Sequence, residues 1–155
     1  MARHPISATA LIPSPPGDVY AVIADYRDGH ARIVPRPPFA SLAVEQGGTG
    51  AGTVIRVETR VMARTQGFRA VVSEPEPGRV LVETNSTGFV TTFTVEPRDG
   101  GRRSEVTIST VLPARAWPLG AVEGWIMRRF LRPVFARELA LLAEVAAERA
   151  ARVRG

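Results

Sequence analysis

Two titratable side chains in this 155-residue sequence could transfer a proton in an enclosed site, His30 and Glu138. His30 lies close in sequence to Tyr26 and Asp28, beside the predicted mouth of a pocket, and an imidazole suits general acid–base chemistry near neutral pH. A solvated loop histidine is the simpler interpretation. The sequence favours that interpretation because nothing in it fixes a partner for the ring.

Glu138 falls among apolar residues of a predicted C-terminal helix, so its carboxyl group could face the protein interior. A buried carboxyl group has a raised pKa and can donate or accept a proton. If the buried stripe of the helix instead centres on Leu139 and Leu142, Glu138 lies at the edge of the stripe. It then reaches solvent or pairs with an arginine, and this interpretation is favoured because buried unpaired glutamates are rare.

The composition excludes several kinds of site. The chain has no cysteine, which excludes disulfides, thiolate nucleophiles and cysteine metal ligands. All 20 basic residues are arginine, so neither a Schiff-base lysine nor a phosphate-binding Walker lysine can form. His4 and His30 are the only histidines, which excludes a three-histidine metal site. We expect no metal and no cofactor.

The net charge of +5 raises the question of a polyanionic partner. The arginines are scattered along the chain and lack interleaved aromatic residues, so we expect no nucleic-acid partner. Arg128, Arg129, Arg132 and Arg137 could meet an acidic partner or a membrane surface, but a solvated helix face is the simpler interpretation. The first residues lack the apolar core of a signal peptide, and no apolar run approaches the ~18 residues of a membrane span. We therefore expect a cytoplasmic protein.

Local periodicity predicts the elements that would position these residues. A strand is predicted over 6–12, a helix over 17–26 and a short helix between His30 and Val34. The period then changes to two, which predicts six more strands at 39–46, 53–64, 67–74, 79–85, 89–96 and 104–112. Their links are short and rich in turn residues, so consecutive strands should pair antiparallel. The glycine-rich segment 47–52 precedes a strand and not a helix, which favours a tight loop with positive φ over a phosphate cradle.

From Pro118 onward the helical period returns and predicts one long C-terminal helix. Pro133 interrupts this helix, and either kinks it or begins a second segment. The sequence shows no internal repeat and no linker. We therefore expect one domain over residues 1–155.

The width of the predicted sheet determines how the helix can cover it. Seven strands spaced by ~4.8 Å span about 33 Å, whereas one helix with its side chains is about 10–12 Å across. The sheet must therefore curve around the long helix. Its inner residues are mostly short, which favours an internal cavity with a mildly polar lining of threonine hydroxyls. The expected lining is Tyr26, Ile55, Val57, Thr59, Phe68, Val82, Thr84, Phe89, Thr91, Phe93, Ile108, Thr110, Phe130 and Val134.

Four segments carry a family resemblance that extends over nearly the whole chain: 12–20, 24–26, 47–53, and Glu138-Leu139 with Leu142. With the order strand, two short helices, six strands and a long helix, the chain resembles the START-like, birch-pollen-allergen-like superfamily. Within that superfamily it is similar to the bacterial polyketide cyclase/dehydrase and lipid-transport family. The resemblance implies an α+β helix-grip fold, in which a curved seven-stranded antiparallel sheet wraps around a long C-terminal helix, with two short helices after the first strand.

The resemblance also implies a function, namely binding of one small hydrophobic or aromatic molecule, lipid-like or polyketide-like, in the cavity. The family that the chain resembles has no universal catalytic residues that could be assigned to positions of this sequence. An alternative is a cofactor-independent polyketide cyclase or dehydratase in which His30 or Glu138 moves protons. A third hypothesis is a protein-interaction domain that uses the arginine-rich helix. A homodimer is compatible with all three.

Overall fold

The computed structural model describes residues 5–114 and 119–154. Two residues that the sequence analysis names, His4 and Pro118, lie outside the described residues. The described residues form seven strands, three α-helices and a short 3-10 turn at Asp99–Gly101. In chain order the larger elements are β1 Ile6–Ile12, α1 Pro16–Ala24, α2 Gly29–Ile33, β2 Phe39–Gln46, β3 Val54–Val61, β4 Arg64–Glu76, β5 Val80–Asn85, β6 Val90–Arg98, β7 Arg103–Val111 and α3 Leu119–Arg154.

The seven strands form one antiparallel sheet in the order β1-β7-β6-β5-β4-β3-β2. Strands that follow one another in sequence from β2 to β7 are neighbours in the sheet, because their links are short turns. β1 pairs with β7 and leaves β2 at the opposite edge. This arrangement confirms the predicted α+β helix-grip fold, with two short helices after the first strand and one long helix at the end.

One face of the sheet, called the inner face below, is covered by the helices and forms the core. The alternation of side chains places apolar residues on it from every strand between β3 and β7: Ile55, Val57, Ala70, Val72, Leu81, Phe93, Val95, Val106 and Ile108. α3 lies against β1, α1 and α2. The core is therefore densest at the end of the sheet where α1 and α2 pack.

α3 consists of two halves with different surroundings. From Val134 onward it contributes buried residues such as Phe135, Leu139 and Leu142, whereas no side chain from Gly120 to Pro133 is buried. Of the two alternatives for Pro133, the start of a second helical segment is wrong, because the helix is continuous from Leu119 to Arg154. Proline removes one backbone donor, and at this exposed position water can bond to the carbonyl left without a partner. None of the helices in the described ranges is long and apolar enough to cross a membrane.

The glycine-rich segment 47–52 is a tight loop with positive φ at four glycines, as predicted. The loop packs on the end of α1: Gly50 N–H donates to the carbonyl of Ala24 over 2.9 Å, and Tyr26 N–H donates to the carbonyl of Gly48 over 2.9 Å. These two bonds fix the backbone on either side of Asp25. The loop therefore positions Tyr26 and the turn that leads to α2.

The hairpin between β3 and β4 differs from the prediction. The sequence predicts a strand that continues to residue 64, but β3 ends at Val61 and the chain turns at Met62 and Ala63. Both turn residues have positive φ, at 51° and 65°. Neither is a residue that favours this conformation, so the sequence carried no turn signal at this position.

Candidate functional site

His30 is held inside the protein by one hydrogen bond and one close polar contact. Its Nδ1 lies 2.7 Å from the carbonyl oxygen of Ile23, and its Nε2 lies 3.3 Å from Oε1 of Glu83. Ile23 is in the last turn of α1, where carbonyls lack partners within the helix. The turn between α1 and α2 brings the imidazole back to this carbonyl. His30 is only 2% exposed, so the expectation of a solvated loop histidine is wrong.

Tyr26 packs on His30 and shares its carboxylate partner. The two rings are stacked with centroids 4.2 Å apart, and the Tyr26 hydroxyl donates to Oε1 of Glu83 over 2.6 Å. On its other side His30 meets the ring of Phe93 in an edge-to-face contact at 5.5 Å. Burial, and then the carboxylate of Glu83, raise the pKa of Tyr26 well above its usual range. The phenol therefore acts as a hydrogen-bond donor at neutral pH.

Glu83 contacts both His30 and Tyr26, although no pattern in its own strand indicated it. The sequence predicts that Val82 and Thr84 of the same strand line the inner face, and the register shows that this orientation is wrong. Glu83 lies opposite Val72 of β4 and Thr91 of β6, both with side chains on the inner face, so Val82 and Thr84 face the other way. Val82 and Thr84 are β-branched residues at alternate positions, and this pattern suggested that their side of the strand lies on the inner face. The predicted inward position of Thr91 was the available signal, because pairing of β5 with β6 places Glu83 beside it.

The carbonyl of Ile23 determines which nitrogen of His30 carries a hydrogen. This carbonyl can only accept a hydrogen bond, so Nδ1 of His30 is the donor. Nε2 faces a carboxyl oxygen that already accepts the Tyr26 hydroxyl. A proton on the imidazole makes this contact an ion pair, and a proton on the carboxyl group makes it a neutral contact.

Glu138 is buried on α3 without a partner. It is 6% exposed, and no described residue forms a hydrogen bond or an ion pair with it. The expectation that it reaches solvent or pairs with an arginine is wrong. The buried stripe of the helix includes Val134, Leu142 and Val145 and passes directly through Glu138, so its carboxyl group cannot leave the interior. Burial, and then the charge of Glu83, raise its pKa well above the usual range.

Tyr26, His30, Glu83 and Glu138 are called the polar cluster below. They come from the turn after α1, from α2, from β5 and from α3. Burial, and then the charge of Glu83, raise the pKa of Glu138, which favours the neutral form of its carboxyl group. The cluster thus offers a carboxyl group that can donate or accept a hydrogen bond to a neutral polar group. No group of metal-ligating side chains was found among the described residues.

The structure brings most of the predicted pocket residues to one side of the sheet. Register and burial place eight of them on the inner face: Ile55, Val57, Thr59, Phe68, Thr91, Phe93, Ile108 and Thr110. Tyr26 and Val134 are buried beside them. The Thr91 and Thr110 hydroxyls bond to each other over 2.9 Å. Phe89 is half-buried just before β6, and Phe130 is 37% exposed on the first half of α3.

The interior has one filled end and one open end. The rings of Tyr26, His30 and Phe93 meet at the filled end, under the second half of α3. At the other end Met127 and Leu131 of the first half of α3 are only partly buried against the core, and Thr59, Phe68 and Thr91 are only partly covered. The space between this half-helix and the inner face is called the open cleft below. Glu138 lies where the open cleft meets the filled end.

Two open depressions lie elsewhere on the molecule. One of about 240 Å³ lies between β1 and α3, and its lining includes Ala8, Ala136 and Ala140. The other, of about 250 Å³, lies at the β3–β4 hairpin beside Met62. Neither borders the polar cluster. The enclosed cavity that the sequence predicts is neither of these two depressions.

A family model described as polyketide cyclase / dehydrase and lipid transport matches residues 3–147. This chain belongs to that family. The match covers nearly the whole of the sequence and agrees with the resemblance found in the segments around the first helix and the glycine-rich loop. A comparison with curated proteins finds no match for this family member.

Solved structures share the fold of this polyketide cyclase/dehydrase family member. The solution structure of the KanY protein superposes with a TM-score of 0.81 at 25% identity, covering 95% of this chain and 99% of that one. The Zhui aromatase/cyclase from a Streptomyces species gives 0.64 at 20% identity, covering 99% and 98%. The crystal structure of Ara h 8.0201 gives 0.65 at 18% identity, covering 94% and 99%. The two lower identities show a common fold only.

Proposed function

We propose that this family member binds one small hydrophobic or aromatic molecule, lipid-like or polyketide-like, in the open cleft. The apolar body of the molecule lies on the inner face of β3, β4 and β6, and a carbonyl or hydroxyl group at its end meets Glu138. The observation that carries the proposal is the buried carboxyl group of Glu138, which has no partner in the described structure. A buried polar group without a partner is costly, and a ligand that bonds to it removes that cost.

The composition of the cleft supports an uncharged ligand. Its walls carry the apolar or weakly polar side chains of Val57, Thr59 and Phe68, with Thr91 closer to the polar cluster. The raised pKa of Glu138 favours its neutral form, so this carboxyl group offers no opposite charge to a charged ligand. The family description and the name of the Zhui aromatase/cyclase support an aromatic or polyketide-like molecule.

A ligand panel tests this proposal through protein stability. Pairs of compounds that differ only in a terminal carbonyl or hydroxyl group are added to the purified protein, and the free energy of unfolding is measured in urea. A ligand at a hundred times its Kd should raise that free energy by about 2.7 kcal/mol. The polar member of a pair should bind more tightly, and Glu138→Leu should abolish the difference.

Glu144→Gln is the matched control, because Glu144 is an exposed carboxylate on the same helix. This variant should bind every compound as the unaltered protein does. If no apolar compound stabilises the protein, or if Glu138→Leu leaves the preference for the polar member unchanged, the proposal is wrong.

A second candidate function is cyclisation or dehydration of a polyketide-like substrate without a cofactor. The observation that favours it is the position of the buried Glu138 carboxyl group, whose pKa is raised by burial and by the charge of Glu83, in the same cluster as the His30–Glu83 pair. In a dehydration, a base removes the proton α to a carbonyl while an acid protonates the leaving hydroxyl, and water departs. The His30–Glu83 pair is suited to the first step and Glu138 to the second.

Turnover separates the two candidate functions. Glu138→Gln keeps the shape of the side chain but cannot release a proton, so it should lower kcat by about 10²–10⁴-fold while binding is retained. His30→Asn should have a similar effect. Unchanged turnover in both variants would contradict catalysis by this cluster and would leave the binding proposal intact.

A further inference from the structure

The first half of α3 packs against the core through Met127 and Leu131, which are partly buried. A helix of 36 residues is about 54 Å long, whereas a strand of nine residues such as β7 spans about 30 Å. Burial of α3 begins only at Val134. The segment from Gly120 to Pro133 therefore presents an outer face that no described element covers.

This outer face is apolar. Val122, Trp125 and Ile126 are exposed by 55, 59 and 53%. At about 100° per residue they fall on the side of the helix opposite Leu131 and Glu138, so they point away from the open cleft. The inward side of the half-helix can take the proposed ligand, but these three side chains cannot contact it. A cluster of exposed large apolar side chains marks an interaction site.

Unpaired positive charge surrounds these apolar side chains. Arg128, Arg129 and Arg132 form no ion pair with any described residue. The guanidinium of Arg129 lies over the Trp125 ring, 5.2 Å from its centroid. Between Leu119 and Arg137 the sequence contains four arginines and one acidic residue, Glu123. The face thus combines an indole and aliphatic side chains with a local excess of positive charge.

We propose that the outer face, defined by Val122, Trp125, Ile126, Arg129 and Arg132, docks on an anionic lipid surface. The apolar side chains enter the boundary between headgroups and acyl chains, and the guanidinium groups bond to lipid phosphates. An indole with adjacent arginines is typical of helices that lie in a membrane interface. A second copy of the chain fits this face poorly, because a two-fold contact brings the same arginines of both copies together. This inference does not depend on the proposed ligand.

Vesicle binding with a tryptophan probe tests the docking surface. The chain has two tryptophans, and Trp117→Phe leaves Trp125 as the only one. This protein is mixed with vesicles of phosphatidylcholine alone, or of phosphatidylcholine and phosphatidylglycerol in equal amounts. We expect co-sedimentation and a blue shift of Trp125 emission only with the anionic vesicles, and we expect added salt to weaken both signals.

Charge reversal identifies the face. Arg129→Glu with Arg132→Glu should lower vesicle binding by about tenfold or more. The control variant, Arg102→Glu with Arg103→Glu, makes the same change in net charge at the start of β7, outside the outer face. It should alter binding by less than about twofold. Trp125→Ser with Ile126→Ser should also remove binding. Absence of binding to anionic vesicles, equal effects of the two charge reversals, or burial of Trp125 by self-association without vesicles would overturn the proposal.

Discussion

Nε2 of the His30 imidazole lies 3.3 Å from Oε1 of the Glu83 carboxyl group. One residue belongs to a five-residue helix and the other to a central strand. The same carboxyl oxygen accepts the Tyr26 hydroxyl. This contact connects the helical layer to the inner face of the sheet, so its strength affects both the fold and the candidate site.

A double-mutant cycle should show that His30 and Glu83 stabilise the fold together. His30→Phe keeps a ring against Tyr26 but leaves the carbonyl of Ile23 and the Glu83 carboxyl group without this donor. We expect it to lower the free energy of unfolding by about 2–4 kcal/mol. Combined with Glu83→Gln, the coupling energy from urea unfolding should be about 1–3 kcal/mol. Additive effects of the two substitutions would contradict a direct interaction between the two side chains.

Removal of the Tyr26 hydroxyl should affect the site as well as the stability. Tyr26→Phe deletes a 2.6 Å hydrogen bond to Glu83 and should cost about 1–3 kcal/mol of unfolding free energy. Tyr20→Phe is the matched control, because Tyr20 donates to Glu74 over 2.7 Å in a separate pair. Both variants should be destabilised in urea, but only Tyr26→Phe should change the pH dependence of ligand binding. Identical pH profiles would argue against coupling through Glu83.

Glu138 should make the protein less stable as the pH rises. Its pKa in the folded state is raised above the ordinary value of 4.5, mainly by burial and next by Glu83. Above pH 4.5 the unfolded chain loses this proton while the folded state keeps it, so the free energy of unfolding falls with rising pH up to the folded pKa. Glu138→Gln should remove this slope and raise the free energy of unfolding at neutral pH by about 1–3 kcal/mol.

Urea unfolding at a series of pH values from the ordinary carboxyl pKa to mild alkalinity measures this effect. Glu144→Gln, on the exposed face of α3, should keep the slope of the unaltered protein. A slope that survives in Glu138→Gln would contradict its assignment to this carboxyl group.

Two glycines of the 47–52 loop should respond differently to alanine. Gly50 has a φ of +63°, and a Cβ there would collide with Oε1 of Glu74, which accepts the Ala51 N–H over 2.7 Å. Gly52 has a φ of +87° but open space around it. Gly52→Ala should therefore cost only the backbone strain of about 1–2 kcal/mol. Gly50→Ala should cost about 1–3 kcal/mol more in urea unfolding, because it also displaces a bonded carboxylate. Equal losses would show that Glu74 moves away freely.

The β3–β4 turn offers a stabilising substitution. Met62 and Ala63 both have positive φ, which suits Asn-Gly far better than residues with apolar side chains. Met62→Asn with Ala63→Gly should raise the free energy of unfolding by about 1–2 kcal/mol, since Met62 is 93% exposed and loses no packing. Met62→Ala keeps the unfavourable backbone and should change stability by less than about 0.5 kcal/mol. A double variant no more stable than the unaltered protein would contradict this turn geometry.

Local periodicity was sufficient to predict most of the elements. The bounds of β1 and β2 match the predicted strands, and α2, at Gly29–Ile33, is shifted by one residue from the predicted short helix. The positive φ values of the 47–52 loop also followed from its glycines. Each of these features depends only on residues that are neighbours in the sequence, so the sequence is sufficient to predict it. The β3–β4 turn was missed because Met62 and Ala63 are not turn-forming residues.

The sequence by itself determined an antiparallel sheet, its strand order along the chain and one long helix to cover it. Only the tertiary structure decided which face of β5 is buried, and with it the role of Glu83. Alternation within a strand separates two sets of side chains but does not say which set meets the helices. Likewise His30 and Glu138 became buried because α2 and α3 pack against residues far away in sequence. Their partners, and the lack of one for Glu138, are properties of that packing and not of any local pattern.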